Sequence, residues 1–352
     1  MSKQIVKTLR KTLSREEFTN RAFQKSKSIG SKAVVESSLI NFEEFCKNEY
    51  GQEQEKLLFQ LKENQGDELY HFLQDFINFM SEKGLKSATI RAYFSFIRSY
   101  FRSQGIKVHS EDVKDLITFP VQVKEMLEPL STEQVRILLD NSKPDRKALY
   151  LTLTSSGMRV SEALSLRKKD FDFSQDPVVL RIQGIHTKTK QTRETFCSSE
   201  AKEIVLRLVK GKDENDLVFG KSEDYKKALS DEDRVFANLR KRCNLDEKYE
   251  DTTRHKVTIH SMRAFFHTQA SLIHGEQYAH ALDGHRGYLM QYYRLSREKR
   301  AEMYKELEPH LLIYGDPVLK KTYEKLEKEN LFFKAELARQ SQAIDYLLSK
   351  EH

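Results

Sequence analysis

Cysteine is scarce in this 352-residue chain. Cys46, Cys197 and Cys243 lie far apart, so neither a disulfide framework nor a CxxC metal knuckle is available. Proline is missing from the first third: Pro120, Pro129, Pro144, Pro177, Pro309 and Pro317 all come later, which leaves the preceding residues free to be helical. No stretch approaches the roughly 20 apolar residues of a membrane-spanning helix. The start, MSKQIVKTLRKTLSREEF, is basic but has no continuous apolar run and no small-residue cleavage site, so no secretory signal is expected. These absences exclude secreted disulfide scaffolds, membrane-spanning proteins and collagen-like chains. What is present, 38% hydrophobic and 32% charged residues, fits a soluble globular protein of two or three domains.

The net charge of +7 is concentrated. Residues 1–32 hold nine basic side chains (Lys3, Lys7, Arg10, Lys11, Arg15, Arg21, Lys25, Lys27, Lys32) against Glu16 and Glu17, and the rest of the chain balances. A basic arm over residues 1–28 suits a phosphate backbone, or it is a solvated tail.

Apolar residues at helical spacing (Leu69, Phe72, Leu73, Phe76, Ile77, Met80) predict one helix, which Gly84 ends. SATIRAYFSFIRSYFRSQG predicts the next, capped by Ser87 and ended by Gly105. Its apolar stripe is Ile90, Phe94, Ile97 and Phe101. Arg91, Arg98 and Arg102 share a neighbouring stripe that is either a solvated face or a surface laid on DNA phosphates. PVQVKEMLEPL reads as a linker (residues 120–129) between a helical domain (29–119) and a second domain (130–315) that opens at STEQVRILLDNS. VVLRIQGI and RETFC read as two strands around the polar turn HTKTKQT, so the second domain is mainly α with a small sheet. From 316 to 352, Leu319, Tyr323, Leu326, Asn330, Phe333, Leu337, Gln340, Ile344 and Leu347 alternate spacings of four and three. That is a heptad seam, of a coiled coil or of a helix folded back on its own domain.

Four segments carry chemistry. In SSGMRVSEALSLRKKDFDF, Arg159 and Glu162 stand three apart at a helix start, so the carboxylate can aim the guanidinium. In HTKTKQTRE, Lys188, Lys190 and Arg193 decorate a hairpin tip. In TIHSMRAFFHTQAS, His260 and Arg263 stand three apart and can face one phosphate. In ALDGHRGYLMQYYRLS, His285 is followed by Tyr292 and Tyr293. His255, His267, His274 and His280 lack metal-knuckle spacing and read as satisfied surface or core histidines.

In this order, Arg, Lys, His-x-x-Arg, Gly-His and Tyr resemble the tyrosine recombinase (phage integrase) family, over about residues 30–310 and most strongly after 130. GHRGYLMQYYRLS is most similar to archaeal and archaeal-virus integrases. The resemblance implies a two-domain DNA clamp: a helical core-binding (SAM-like) domain over 29–119 and a catalytic domain over 130–315. It implies site-specific cutting and rejoining of duplex DNA through a 3′-phosphotyrosyl intermediate, in integration or excision of a mobile element. Double-stranded DNA and a tetramer of this chain would be the partners, with no metal, cofactor or membrane, in the cytoplasm at the nucleoid. Arg159 and Arg263 would clamp the phosphate, with Glu162 behind Arg159. His260 and His285 would donate to the phosphate or handle a proton, and Lys188 (or Lys190) would protonate the leaving 5′ oxygen. Tyr292 would attack, Tyr293 being the alternative; Arg91, Arg98, Arg102, Lys190 and Arg193 would contact DNA. The sequence departs from the family in Asp283, where Leu is usual, and in the short His-to-Tyr spacing. Two other functions remain: a type IB topoisomerase, or a silent architectural DNA-binding protein.

Overall fold

The computed structural model describes residues 12–26, 29–63, 66–122, 124, 126–187, 190–250, 252, 254–285 and 294–315. The chain is mainly α-helical with a small antiparallel sheet, and it divides into two compact units between residues 124 and 125. No helix among the described residues is long and apolar enough to cross a membrane.

The first unit is all helix: α1 (Arg15–Ser26), α2 (Ile29–Tyr50), α3 (Gln54–Glu63), α4 (Asp67–Glu82), α5 (Ser87–Gln104) and α6 (Ser110–Leu116). Each residue of the α4 stripe and of the α5 apolar stripe is buried. The centre is aromatic. Phe42 of α2 meets Phe72, Phe76 and Phe101 edge-on at centroid separations of 6.1, 5.6 and 5.4 Å. Such pairs add about 0.5–1.5 kcal/mol each beyond the area they bury. Gly105 closes α5 in the left-handed conformation (φ 90°), as its lack of a Cβ permits.

Two expectations for this unit need correction. Ser87 is not the cap of α5. Lys86 holds the extended cap position, and the Ser87 hydroxyl donates to the Pro120 carbonyl at 2.7 Å. The supposed basic arm over 1–28 is, from Arg15 on, a packed helix: Phe18 is buried edge-on against Tyr100 (5.1 Å), and Arg15 pairs with Glu43 at 2.7 Å. Charge counting overlooks Phe18, whose burial draws the segment onto α2 and α5. Residues 1–11 lie outside the described residues.

The second unit contains α7 (Thr132–Asp140), α8 (Pro144–Ser156), α9 (Val160–Leu164), strands β1 (Phe171–Asp172), β2 (Val178–Ile182) and β3 (Arg193–Cys197), then α10 (Ser199–Val209), α11 (Tyr225–Arg242), α12 (Ile259–His274), α13 (Glu276–Asp283) and α14 (Arg297–Leu311). Ser131 and Gln134 cap α7 reciprocally. The sheet order is β1-β2-β3, antiparallel throughout, with Leu180 opposite Thr195. From Ala148 to Ser156 α8 is buried, packed among α7, α10, α12, α14 and β3. Tyr304 of α14 fixes the end of α8 by donating to the Ser155 carbonyl at 2.7 Å. Gly157 then turns the chain with φ 66°, and a Cβ there would lie 2.2 Å from the Phe266 ring of α12. Only glycine lets α8 end this close to α12. The heptad seam at 316–352 lies outside the described residues.

Candidate active site

Arg159 follows this turn and caps α9. Its backbone N–H donates to Glu162 Oε2 (2.9 Å) and its guanidinium to Glu162 Oε1 (3.1 Å). Glu162 is fully buried. A second arginine, Arg193, donates to both its oxygens at 3.1 and 2.6 Å. Burial opposes ionisation of Glu162, but Arg193 and then Arg159 outweigh it and hold the carboxyl below its ordinary value. Arg193 also donates from Nε to the Leu282 carbonyl at 3.1 Å. With a side chain only 11% exposed, it is a strut between α9 and the end of α13, which corrects its assignment as a DNA contact at the hairpin tip. The reason is distance along the chain: its partner lies 31 residues away.

Arg263, one turn into α12, is 2% exposed. Its Nη1 donates to the carbonyls of Gly157 (2.5 Å) and Asp283 (2.6 Å). Its Nη2 lies 3.4 Å from both Asp283 Oδ1 and His285 Nδ1. Asp283, at the end of α13, has no exposed surface. Oδ1 accepts the His285 backbone N–H (2.9 Å), while Oδ2 lies 2.8 Å from His285 Nδ1 and 2.9 Å from His267 Nδ1. Despite burial, hydrogen bonding by His267 and the charge of Arg263 hold Asp283 below its ordinary value. Gly284 makes the turn to His285 with φ 78°, where a Cβ would come within 2.9 Å of the Arg193 guanidinium.

The structure therefore joins Arg159, Glu162, Arg263 and His285 in one network. His260 precedes Arg263 by one turn on α12. Desolvation, then the charges of Arg263 and Arg159, lower its pKa, so the neutral imidazole is favoured. His285 is lowered too, by desolvation that outweighs Asp283. Lys188, Tyr292 and Tyr293 lie outside the described residues. Lys190 is exposed in a left-handed conformation (φ 56°), its Nζ donating to the Ile185 carbonyl at 2.9 Å.

Of the remaining histidines, His255 Nδ1 contacts the Asp246 carbonyl (3.2 Å) and His274 Nε2 the Met303 carbonyl (2.7 Å), as satisfied side chains. His267 and His280 differ, because the α12–α13 hairpin gathers them around Asp283 and His285. The sequence signal for this network is the Asp-Gly-His triplet, in which Asp283 stands where the family usually has Leu. In the first unit, Arg98 and Arg102 line a shallow cavity with Lys107 and His109. Arg91 instead lies over the Phe119 ring, 4.5 Å from its centroid.

A preorganised pair of guanidiniums with two near-neutral imidazoles suits a centre that gathers negative charge during phosphoryl transfer. The Phage integrase family model matches residues 128–272 of the chain. Tyrosine recombinase XerA of Thermococcus onnurineus is 28% identical over 30% of this chain and 37% of its own length. XerA of Saccharolobus solfataricus is 28% identical over 40% of this chain and 45% of its own length, and XerC of Bacillus subtilis 30% identical over 43% and 53%. The matched stretches thus span about half the curated relatives or less. Among solved structures, a lambda integrase (75–356) dimer bound to a core site aligns with TM-score 0.56 at 12% identity, covering 80% of this chain and 97% of that one. The XerH recombinase bound to its difH substrate aligns with TM-score 0.53 at 15% identity, covering 83% and 84%. These likenesses establish the fold.

Proposed function

We propose that this protein is a site-specific DNA recombinase of the integrase type, which cuts and rejoins duplex DNA in integrating or excising a mobile element. The observation that carries the reading is the pair Arg159 and Arg263: separate elements supply them, and separate buried carboxylates, Glu162 and Asp283, hold them. In this scheme the tyrosine hydroxyl, Tyr292 or Tyr293, attacks the scissile phosphorus. Arg159 and Arg263 take up the charge growing on the phosphate oxygens. His260 and His285, favoured neutral, accept the tyrosine proton or donate to the phosphate. Lys188 gives its proton to the departing 5′ oxygen. The phosphotyrosyl bond keeps the energy of the broken link for rejoining.

The domains follow the same reading: core-binding up to residue 119, a linker over 120–129, catalytic over 130–315, closing as a clamp on DNA. Arg98 and Arg102 would meet backbone phosphates through the cavity they line. The 316–352 seam would pair or dock protomers in a DNA-bound tetramer at the nucleoid. The XerA relatives from Thermococcus and Saccharolobus support an archaeal affinity, beside the bacterial XerC relatives.

A suicide substrate carrying a nick beside the cleavage site tests the proposal. Wild-type protein should become covalently attached to DNA, and mass spectrometry of the phosphopeptide identifies the tyrosine. Tyr292→Phe should abolish the adduct and Tyr293→Phe should not. DNA binding without any adduct would leave an architectural protein. Relaxation of supercoils at no preferred site would leave a topoisomerase.

A further inference from the structure

Overlapping the guanidinium network at Asp283 and His285 lies an arrangement whose other members, His267 and His280, strand transfer does not call for. His267, His280, Asp283 and His285 each present one ligand atom, and these atoms all fall within 4.8 Å of one another. The imidazoles form a triangle, with ring centroids 5.0 Å (His267–His280), 5.1 Å (His280–His285) and 5.7 Å (His267–His285) apart. Nδ1 of His267 and Nδ1 of His285 converge on the same oxygen, Asp283 Oδ2. The opposite oxygen, Oδ1, is occupied by the His285 backbone N–H and faces Arg263. His280 Nδ1 is buried and, among the described residues, meets no hydrogen-bond partner. An imidazole nitrogen turned inward without a partner carries a desolvation cost that hydrogen bonding within the protein does not relieve.

We propose that His267, His280, Asp283 and His285 form a binding site for a divalent transition-metal ion, Zn²⁺ by its donor set, and that the filled site holds the DNA-cleaving centre in check. Three imidazoles and one carboxylate are ligands that favour zinc. Four protein ligands would leave no open position, as in a closed site rather than a catalytic one. The two contacts to Oδ2, 2.8 and 2.9 Å, need to open only to the ~3.3 Å edge of a tetrahedron with ~2.0 Å bonds. The donors sit on α12, on α13 and just past the Gly284 turn, and pairs that now stand up to 4.8 Å apart would close to the same edge as the ion enters. Arg263 orients the carboxylate from the Oδ1 side, as outer-shell partners of metal ligands do, and its Nη2, also 3.4 Å from His285 Nδ1, would have to draw back as the ion takes that nitrogen.

The effect on His285 follows from proton bookkeeping. A carboxylate only accepts, so neutral His285 donates Nδ1–H to Asp283 and leaves Nε2 as a proton acceptor. Zinc on Nδ1 forces the proton to Nε2. The ring stays neutral, no proton is lost, and the acceptor becomes a donor. His285 could then no longer take a proton from an attacking hydroxyl. This second half rests on the recombinase reading; the metal site itself does not.

The full-length protein without DNA would be titrated with Co²⁺, whose tetrahedral complexes absorb in the visible, and then with Zn²⁺ in competition with a chromophoric chelator. One equivalent with tetrahedral bands is expected. His280→Phe keeps a ring of similar shape without a ligand atom and should weaken binding at least ~10-fold, the cost of losing even an outer-shell partner. His267→Gln should do the same, and circular dichroism without metal should show both variants folded. No tetrahedral cobalt spectrum, or equal affinity in wild type and both variants, overturns the site. In the suicide-substrate assay Zn²⁺ should slow wild-type cleavage, a chelator should restore it, and His280→Phe should ignore the ion. Unchanged cleavage by zinc-loaded wild type overturns the regulatory half. Cobalt binding with no DNA cleavage under any condition would sink the recombinase reading and leave the metal site standing.

Discussion

The two units are held together by different chemistry. In the first, the buried side chains are apolar or aromatic; its buried polar residues are Thr19, Ser38 and Gln54, none of them charged. In the second, Glu162, Asp170, Glu200, Glu232, Arg240, Arg263 and Asp283 are all buried. Buried ions cost free energy that pairing seldom returns in full, so stability alone does not account for them. All seven hold other groups in position: Asp170 accepts the Arg167 backbone N–H, Glu232 the Tyr150 hydroxyl, and Arg240 donates to the Val257 carbonyl. Glu162, Arg263 and Asp283 form the network around the two guanidiniums, and Glu200 accepts the backbone N–H groups of Ile313 and Tyr314 at 2.9 and 2.8 Å after α14. The first unit is built to be packed, the second to hold charges at fixed positions.

This contrast can be broken most sharply by matched substitutions. Phe42→Ala should cost the first unit about 3–5 kcal/mol through a cavity in its aromatic centre. Asp283→Asn should cost the second unit a comparable ~3–5 kcal/mol, because Arg263 is left as a buried, uncompensated charge. Hydrogen exchange followed unit by unit separates the two. Equal loss of protection in both units for either variant would show that they do not store their stability separately.

Somewhat smaller is the effect of Arg159→Ala on cleavage. Loss of one preorganised donor should lower the rate about 10²–10³-fold with DNA affinity nearly kept. A wild-type cleavage rate in single-turnover kinetics would remove Arg159 from the site. Arg193→Gln sharpens the point. This side chain supports Arg159 through Glu162 and braces the Leu282 carbonyl, so the cleavage rate should fall by less than in Arg159→Ala, and Arg193→Lys should restore part of it.

The pH dependence is subtler. Glu162 has a folded pKa below its unfolded value of about 4.3. Its stabilising contribution is therefore fully present above that pH and is lost as pH falls through the lower folded value. Glu200 and Glu232, which burial pushes up, run the opposite way. The difference in Tm between wild type and Glu162→Gln isolates the effect: wide at pH 7, closing below about pH 4. A gap that stays constant to acid would mean Glu162 is not held ionised. The smallest effect is expected for Arg98→Gln and Arg102→Gln. Each should make the log–log salt slope of DNA binding shallower by about 0.9 for every phosphate that its guanidinium neutralises. A slope identical to wild type would take that arginine off the DNA.

Elements with a strong period are legible in the sequence. The α4 and α5 stripes announce themselves because every third or fourth residue is apolar, and β2 and β3 because the period shortens around a polar turn. β1 is not, since two residues carry no period. The guanidinium pair is visible because each arginine lies three residues from a polar partner on the same turn. The partners that aim them are less so. Arg193 reaches Glu162 on α9 from strand β3, and Asp283 draws in His267 from the preceding helix. Local spacing holds no trace of either contact. The α1 helix is hidden because one buried phenylalanine decides its fate against a background of lysine and arginine.

Glu162 has a consequence for how such a protein can be governed. The same carboxylate caps the five-residue helix α9, grips Arg159 and anchors Arg193. The fold of this corner and the aim of its cations are therefore coupled through one carboxylate. On the recombinase reading, control of this corner would fall to the DNA presented, to the arrival of the attacking hydroxyl, or to an occupant that changes what His285 can do.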